Sequence, residues 1–291
     1  MKYNKPKVIA EIGCNHMGSI EVARELIDLA VLSKADVAKF QKRNPRELLS
    51  EEQYNAPHPN PRHSYGSSYG EHRENLEFTA EQHRELMEYC VEMGIDYSTS
   101  VWDESSAKDI IQFKPAMLRI PSASNTNFSL LEVLRDEYEG DIHISLGMTT
   151  HEEEAEIIEF FSQKGNGKER LVIYSCTSGY PVPFENVSLL EITRLIESYG
   201  SMVKAVGFSG HHLGIAIDNA AYTLGAEYVE RHFTKDRTLK GTDHAASLEP
   251  TGLQKLVRDL NATYKSLTYK ERELLDIELE QREKLKYREK H

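Results

Sequence analysis

The chain has few cysteines, a deficit of positive charge and no long apolar run. Its three cysteines, Cys14, Cys90 and Cys176, are scattered and odd in number, which argues against a disulfide framework and favours a reducing compartment. A formal net charge of −12 argues against a nucleic-acid partner, because nucleic acids bind basic faces. No stretch of about 18 apolar residues predicts a membrane span, and the N-terminus lacks the apolar run of a signal peptide. We therefore expect a cytoplasmic protein with neither a nucleic-acid nor a membrane partner.

The 291 residues alternate short β-rich runs with amphipathic helical segments, in which apolar side chains recur at helical spacing. The predicted strands are residues 8–13, 37–41, 96–100, 117–122, 141–147, 171–177, 205–210 and 228–234. Eight strand–helix units of this kind predict a parallel sheet and favour closure into a (β/α)8 TIM barrel, an α/β fold. An open doubly wound sheet is the alternative, but no G-x-G-x-x-G motif follows the first strand.

Two segments depart from this alternation. Residues 42–78 form a long polar connection, and connections of this length tend to be functional lids or disordered segments. Residues 269–291 carry charge at most positions, and we predict a solvated helix that packs on the barrel or on a second subunit of a homo-oligomer. The predicted domains are therefore a barrel, residues 1–268, and a charged helical extension, residues 269–291.

Polar side chains mark the carboxyl ends of the predicted strands, where barrel enzymes carry their active sites. Lys39 and Arg119 project from strands two and four, and buried cations need an anion to offset their desolvation. Hydroxyl donors at neighbouring strand ends would help to hold a phosphate and a carboxylate. The other polar groups at these ends include Glu11, Gln41, Thr99, Ser122, Ser145, Ser178, Tyr180 and Ser209.

His211 and His232 end adjacent predicted strands, seven and eight, and are expected to lie side by side. Neutral imidazoles suit a divalent transition metal. Two histidines alone indicate a metal only weakly, because histidines also fill surfaces and cores. Glu11 and Asp243 are candidates to complete the metal shell or to transfer protons, and His212 is expected to be structural.

Eight motifs, in order along the chain, resemble those of the sialic acid synthase family. They are IAEIGCNHMG, VAKFQ, RIPSA, ISLGM, YSCTSGYPVPFENV, GFSGHHLG, VERHFT and GTDHAASLEP, and they extend from about residue 8 to residue 260. Members of that family are phosphoenolpyruvate-dependent (β/α)8 synthases that make nonulosonic acids. The resemblance implies an enzyme that condenses phosphoenolpyruvate with an aldose, giving a 3-deoxy-2-keto sugar acid and phosphate.

The resemblance also implies roles for individual residues. His211 and His232 would bind a divalent metal, typically manganese, with magnesium or cobalt as alternatives. The residues expected around phosphoenolpyruvate are Lys39, Thr99, Arg119, Ser122, Ser145, Ser178 and Ser209. The residues expected to face the sugar or the reacting centre are Glu11, Gln41, Tyr180 and Asp243; with Lys39, three of these (Glu11, Tyr180 and Asp243) form the predicted catalytic set.

Departures from the family pattern concern mainly the sugar side. Arg119 replaces a lysine, Ser124 stands where a sugar-binding glutamate is common, and the family's C-terminal antifreeze-like domain is not found in the sequence. The default acceptor is an N-acylmannosamine-like aldose, free or 6-phosphorylated, and Arg62 and Arg73 in the long connection are candidates to contact such a phosphate. The alternatives are a synthase of the 3-deoxy-octulosonate or deoxyheptulosonate phosphate type, and a catalytically idle barrel that binds a sugar acid. In the synthase, we expect residues 42–78 to cover the sugar.

Overall fold

Eight parallel strands form a closed barrel in the computed structural model, which describes residues 3–165 and 167–287. Each strand pairs with its neighbours in sequence, and the eighth pairs with the first. The strands are β1 (Lys7–Gly13), β2 (Val37–Lys42), β3 (Asp96–Val101), β4 (Met117–Ile120), β5 (Asp141–Ser145), β6 (Leu171–Cys176), β7 (Ala205–Gly210) and β8 (Tyr228–His232). The predicted (β/α)8 barrel is confirmed, and the open-sheet alternative is wrong because the described strands close on themselves.

Helices follow every strand and cover the outside of the barrel. They are α1 (Ile20–Leu32), α2 (Pro45–Leu48), α3 (Glu51–Asn55), α4 (Tyr69–Asn75), α5 (Ala80–Met93), α6 (Glu104–Ile111), α7 (Phe128–Glu137), α8 (His151–Ser162), α9 (Gly167–Arg170), α10 (Glu191–Tyr199), α11 (Ala216–Thr223), α12 (Pro250–Ser266) and α13 (Asp276–Leu285). Thr79 caps α5, and Thr150 forms a capping box with Glu153 at the start of α8. These caps satisfy backbone N–H groups that the first helical turn leaves without partners.

An apolar layer closes the interior of the barrel below the strand ends and forms the floor of the site. Its buried side chains are Ile9, Val37, Met117, Val172, Tyr174, Ala205 and Tyr228. Side chains alternate along a strand, so residues two positions further on point into the same interior. Glu11, Lys39, Arg119 and Glu230 each follow a floor residue in this way, and all four are buried. The strand period therefore places a charged layer directly above an apolar one.

The connection between β2 and α5, residues 42–78, is folded rather than disordered. It contains α2, α3, α4 and a short 3-10 turn (Pro61–His63). The Tyr65 hydroxyl donates to the carbonyl of Lys240 at 2.5 Å, and the Gly241 N–H donates to His63 Nδ1 at 3.1 Å. These bonds join the connection to the segment that follows β8. The disordered alternative for residues 42–78 is therefore wrong.

The C-terminal part of the chain leaves the barrel after α12. Helix α13 contains no buried residue, and Ile277 and Leu285 are 81% and 76% exposed. The predicted solvated helix is confirmed for Asp276–Leu285, while residues 288–291 of the predicted extension lie outside the described residues. The domain boundary at 268 stays a prediction. Within the described ranges, no helix is long and apolar enough to cross a membrane.

Candidate active site

A cavity of about 340 Å³ opens at the carboxyl ends of the strands and is called the barrel cavity here. The predicted site residues that line it are Glu11, Lys39, Gln41, Arg119, Ser122, Ser145, Ser178, Tyr180, Ser209, His211 and His232. Residues that line it without having been predicted include Ser100, Trp102, Cys176 and Glu230. The predicted residues at the strand ends therefore do surround one cavity, where a barrel enzyme carries its active site.

Two cations and two carboxylates form a buried network at the bottom of the barrel cavity. Lys39 Nζ lies 2.6 Å from Glu11 Oε2 and 3.5 Å from Glu230 Oε2, and it donates to the Ser100 hydroxyl at 2.9 Å. Arg119 Nη1 lies 3.2 Å from the same Glu230 oxygen. Glu230 thus bridges Lys39 and Arg119, and the four charges fix one another in place.

The two carboxylates of this network differ in how they hold a proton. For Glu230, burial alone would raise the pKa, but Arg119 and Lys39 outweigh it and lower the pKa to about 2. For Glu11, burial raises the pKa by more than Lys39 lowers it. Glu230 is therefore a permanent anion near neutral pH. Glu11 is the carboxyl of this network suited to exchanging a proton.

Arg119 is held rigidly from two sides. Its guanidinium carbon lies 3.6 Å from the centre of the Tyr174 ring, and Nη2 donates to the Ser145 hydroxyl at 2.5 Å. The Ser209 hydroxyl donates to Glu230 Oε1 at 3.1 Å. Predicted hydroxyl groups therefore do surround the cations, and a bound anion would meet pre-positioned donors.

Glu230 escaped the sequence analysis although a signal for it existed. It stands two positions before His232 on β8, and the period of two places both side chains on the inner face. An acidic residue inside a predicted buried strand needs a cationic partner, and Lys39 and Arg119 were already assigned to the same face. The inward position of Glu230 and its need for a cation together predict its pairing with Lys39 and Arg119.

His211 and His232 face each other at the rim of the barrel cavity, as predicted. Their ring centres are 5.4 Å apart, and the Tyr180 ring lies 4.4 Å and 5.8 Å from them. Burial, followed by the neighbouring His232, lowers the pKa of His211 to about 3, so its ring is neutral at pH 7. His211 Nδ1 lies 3.2 Å from the carbonyl oxygen of Thr177 and must donate to it, which leaves Nε2 as a lone-pair ligand.

These two rings fit a divalent metal ion. His232 Nδ1 is buried and has no hydrogen-bond partner in the part of the chain that the structure describes, and neutral imidazoles are common ligands of transition metals. Across residues 3–165 and 167–287, no group of three or more His, Cys, Asp or Glu side chains is placed to hold an ion. The protein would therefore supply two imidazoles, and water or substrate would fill the other positions.

Two predicted site residues lie elsewhere. Thr99 is not part of the cavity wall, because Ser100 occupies the inward position of β3, where it contacts Lys39. This position does not support its predicted contact with phosphoenolpyruvate. Asp243 lines an adjoining cavity, which we call the side cavity. His212 is structural as expected: its Nε2 lies 3.3 Å from Asp218, which pairs with the buried Arg231 at 2.6 Å.

Fold and site together define a class, a (β/α)8 barrel with a small-molecule cavity that combines anion-binding groups and paired imidazoles. The NeuB family model matches residues 26–272, and the chain belongs to the NeuB family. It is 36% identical over 280 residues to N-acetylneuraminate-9-phosphate synthase of Homo sapiens, covering 96% of this chain and 76% of that protein. It is 30% identical over 263 residues to N,N'-diacetyllegionaminic acid synthase of Campylobacter jejuni, covering 90% and 78%.

A solved structure supports the same assignment. N-acetylneuraminic acid (sialic acid) synthetase from Leptospira borgpetersenii, in complex with citrate, superposes with a TM-score of 0.80 at 28% identity. The match covers 98% of this chain and 94% of that one. The expected family and its enzyme class, a sugar-acid synthase, are confirmed and favoured over the octulosonate or heptulosonate type and the idle barrel. The sugar, the metal and the oligomeric state stay predictions.

Proposed function

We propose that the protein condenses phosphoenolpyruvate with an N-acylmannosamine-like aldose, free or 6-phosphorylated, to give a nonulosonic acid and phosphate. One observation carries this proposal: the buried Lys39–Glu230–Arg119 network lies in the same cavity as the paired rings of His211 and His232. A phosphorylated enol is an anion and needs cations to bind it. An aldehyde acceptor needs a neighbouring Lewis acid that polarises its carbonyl group. The name of the human relative, a 9-phosphate synthase, is a precedent for a phosphorylated acceptor.

The charge of the network suits an anionic donor substrate. Lys39 and Arg119 both line the barrel cavity, and burial raises the pKa of Glu11. Whenever Glu11 takes up a proton, Glu230 alone faces the two cations and the network has an excess of one positive charge. Ser145 and Ser209 add hydroxyl groups beside these cations. We propose that the carboxylate and phosphate of phosphoenolpyruvate bind here, since ionised acceptors form the stronger hydrogen bonds.

His211 and His232 would hold a divalent metal, which we propose to be Mn²⁺, and the bound ion would polarise the acceptor aldehyde as a Lewis acid. The chain's own groups would handle protons and orientation. Glu11, 3.0 Å from Gln41 Nε2, would transfer the proton at the reacting centre, and Gln41 with Tyr180 would orient the aldose.

The reaction balances as phosphoenolpyruvate plus aldose plus water, giving the sugar acid plus phosphate. Carbon 3 of phosphoenolpyruvate bonds to the aldehyde carbon, and the aldehyde oxygen takes up a proton to become a hydroxyl. Water adds at carbon 2 and loses a proton. The bond between carbon 2 and the phosphate oxygen then breaks, the hydroxyl at carbon 2 gives its proton to the leaving phosphate, and the keto group remains. Asp243 would bind hydroxyl groups of the aldose from the side cavity.

Carbon counting gives a sharp experiment. The protein is incubated with MnCl₂, phosphoenolpyruvate and single aldoses, phosphate release is followed, and products are identified by mass spectrometry. A nonulosonate needs a six-carbon acceptor, an octulosonate a five-carbon one and a heptulosonate a four-carbon one. We expect phosphate release with N-acylmannosamines and their 6-phosphates. Release only with arabinose 5-phosphate or erythrose 4-phosphate would favour the alternative enzymes, and no release with any aldose would contradict the proposal.

A further inference from the structure

The side cavity, about 270 Å³ in volume, has no role in the proposed reaction beyond Asp243. It shares Gln41, Trp102, Tyr180 and His232 with the barrel cavity, so the two cavities lie side by side. Its outer wall comes from the connection 42–78, which contributes Arg43, His58, Tyr69, His72, Arg73 and Leu76. An aldose whose aldehyde lies at His232 would extend its other end toward this wall.

Arg73 is a half-buried cation in this wall, and the aromatic side chains of Tyr69 and Trp102 contact it. Its Nε and Nη2 donate to the Tyr69 hydroxyl at 3.0 Å and 2.7 Å, and its guanidinium carbon lies 5.9 Å from the Trp102 ring centre. Within the described residues, no carboxylate oxygen lies within 4.0 Å of Arg73. Arg43, in the same wall, is by contrast paired with Glu77 at 2.5 Å. A partly desolvated guanidinium that contacts no carboxylate among the described residues is free to bind the anion of a substrate directly.

Further donors accompany Arg73. His72 Nδ1 accepts the backbone N–H of Tyr65 at 3.2 Å, so the neutral ring carries its hydrogen on Nε2. Burial, followed by His58 and Arg73, lowers the pKa of His72 to about 4. The Tyr69 hydroxyl accepts from Arg73 and keeps its own hydrogen to donate. Guanidinium, imidazole and phenol thus supply three kinds of donor to one wall.

Asp243 is the carboxylate of the side cavity. A Cβ placed on Gly13 would be 3.7 Å from Asp243 Oδ2 and 3.2 Å from Glu11 Oε1, so Asp243 adjoins the reacting centre. Burial would raise the pKa of Asp243, but His232, the Thr242 hydroxyl, Arg43 and Arg73 outweigh it and lower that pKa. The side cavity therefore combines acceptor oxygens beside the reacting centre with the donors of the connection 42–78.

We propose that Arg73, together with His72 and Tyr69, binds the phosphate of a 6-phosphorylated acceptor aldose. The inference rests on the proposed function and narrows it, because it assigns the phosphorylated sugar as the substrate. A phosphate dianion at the end of an open-chain six-carbon sugar accepts from all three donors and supplies the negative charge that Arg73 lacks.

The test compares N-acetylmannosamine with N-acetylmannosamine 6-phosphate as acceptors. We expect the wild type to prefer the 6-phosphate in kcat/KM. Arg73→Met should lower that preference about 10- to 100-fold, the loss expected for a hydrogen-bonded charge pair. Arg73→Lys, which keeps the charge, should recover part of it. Arg62→Met is the matched control, because Arg62 is exposed on the same connection and lines neither cavity; it should keep the wild-type preference.

The outcomes separate the subsite from the reaction. Equal losses with both sugars, or a wild type that uses only the free sugar, would overturn the phosphate subsite and leave the synthase intact. No phosphate release with either sugar would instead contradict the proposed function on which the subsite rests. Calorimetric titration with N-acetylmannosamine 6-phosphate adds a readout independent of turnover: Arg73→Met should bind it more weakly, and unchanged affinity would overturn the proposal.

Discussion

Glu230 determines the charge balance of the barrel cavity at the scale of single residues. Its carboxylate lies 3.5 Å from Lys39 Nζ and 3.2 Å from Arg119 Nη1. Glu230→Gln keeps the shape of the side chain but removes the negative charge that Lys39 and Arg119 share. Breaking a buried ion pair in this way lowers the free energy of unfolding by about 3–5 kcal/mol. We expect a loss of that order in the free energy of unfolding at pH 7, measured by urea denaturation. Glu52→Gln, at an exposed position, should have little effect.

The stabilisation that Glu230 provides depends on pH. The folded pKa of Glu230, about 2, lies below its ordinary value of 4.5, so its stabilisation is complete above pH 4.5 and is lost as the pH falls toward 2. The difference between wild type and Glu230→Gln should therefore shrink over that range. A difference that stays constant down to pH 2 would show that Glu230 is not held as an anion by Lys39 and Arg119.

The paired imidazoles carry a second prediction. We expect His211→Ala and His232→Ala each to abolish phosphate release and to reduce the Mn²⁺ retained per chain, since each ring is one of two protein ligands. Metal content is measured by atomic spectroscopy after chelation and manganese add-back. His151→Ala, at an exposed position, is the control. Wild-type turnover and metal content in either site variant would refute the metal assignment.

Arg119 carries a third prediction, which separates the two halves of the site. Tyr174 and Ser145 fix the guanidinium of Arg119 in one position, so we expect it to contact only one of the two substrates. Arg119→Ala should raise the KM for phosphoenolpyruvate about 10- to 100-fold, the loss expected for a charge-assisted contact. The KM for the aldose should change much less. An effect confined to the aldose would place Arg119 on the sugar side.

At the scale of elements, the sequence predicted the strands well because each is a short run of strand-forming residues that alternates with an amphipathic helix. β4 ends at Ile120, two residues before the predicted end, because Pro121 cannot donate a backbone hydrogen bond to the sheet. The choice between Thr99 and Ser100 depended on the register of β3 against β2, which local pattern does not determine. Helices α2, α3 and α4 escaped prediction because such short helices depend on tertiary contacts.

The connection 42–78 is the element on which the sugar side depends. Residues 56–70 include His58 and Tyr69, which line the side cavity, and Tyr65, which bonds to Lys240. Replacing residues 56–70 with a short Gly/Ser linker should collapse kcat/KM for the aldose, because the side cavity loses the part of its outer wall that His58 and Tyr69 form. Mn²⁺ retention should change little. Intact aldose kinetics in this variant would mean that another element covers the sugar.

At the scale of the whole molecule, the two halves of the site have different structural origins. The proposed phosphoenolpyruvate side is built on strands β2, β4, β5, β7 and β8, whose inner positions are fixed by barrel closure. The proposed aldose side is built on the connection 42–78 and on the segment after β8, and loops vary more readily than the strands that carry them. We therefore expect the barrel to determine the reaction type and these loops to determine the choice of sugar.

The last prediction concerns the extension after α12. The buried residues of α12 end at Leu260, and α13 has none, so removing residues 269–291 should leave the melting temperature of the barrel nearly unchanged. Ile277 and Leu285, exposed on α13, would in contrast be covered if the extension packs on a second subunit. We expect the full chain to be a homo-oligomer by light scattering, and the shortened chain and the Ile277→Ser/Leu285→Ser variant to have a lower mass. Equal masses for all three proteins would exclude α13 as the contact between subunits.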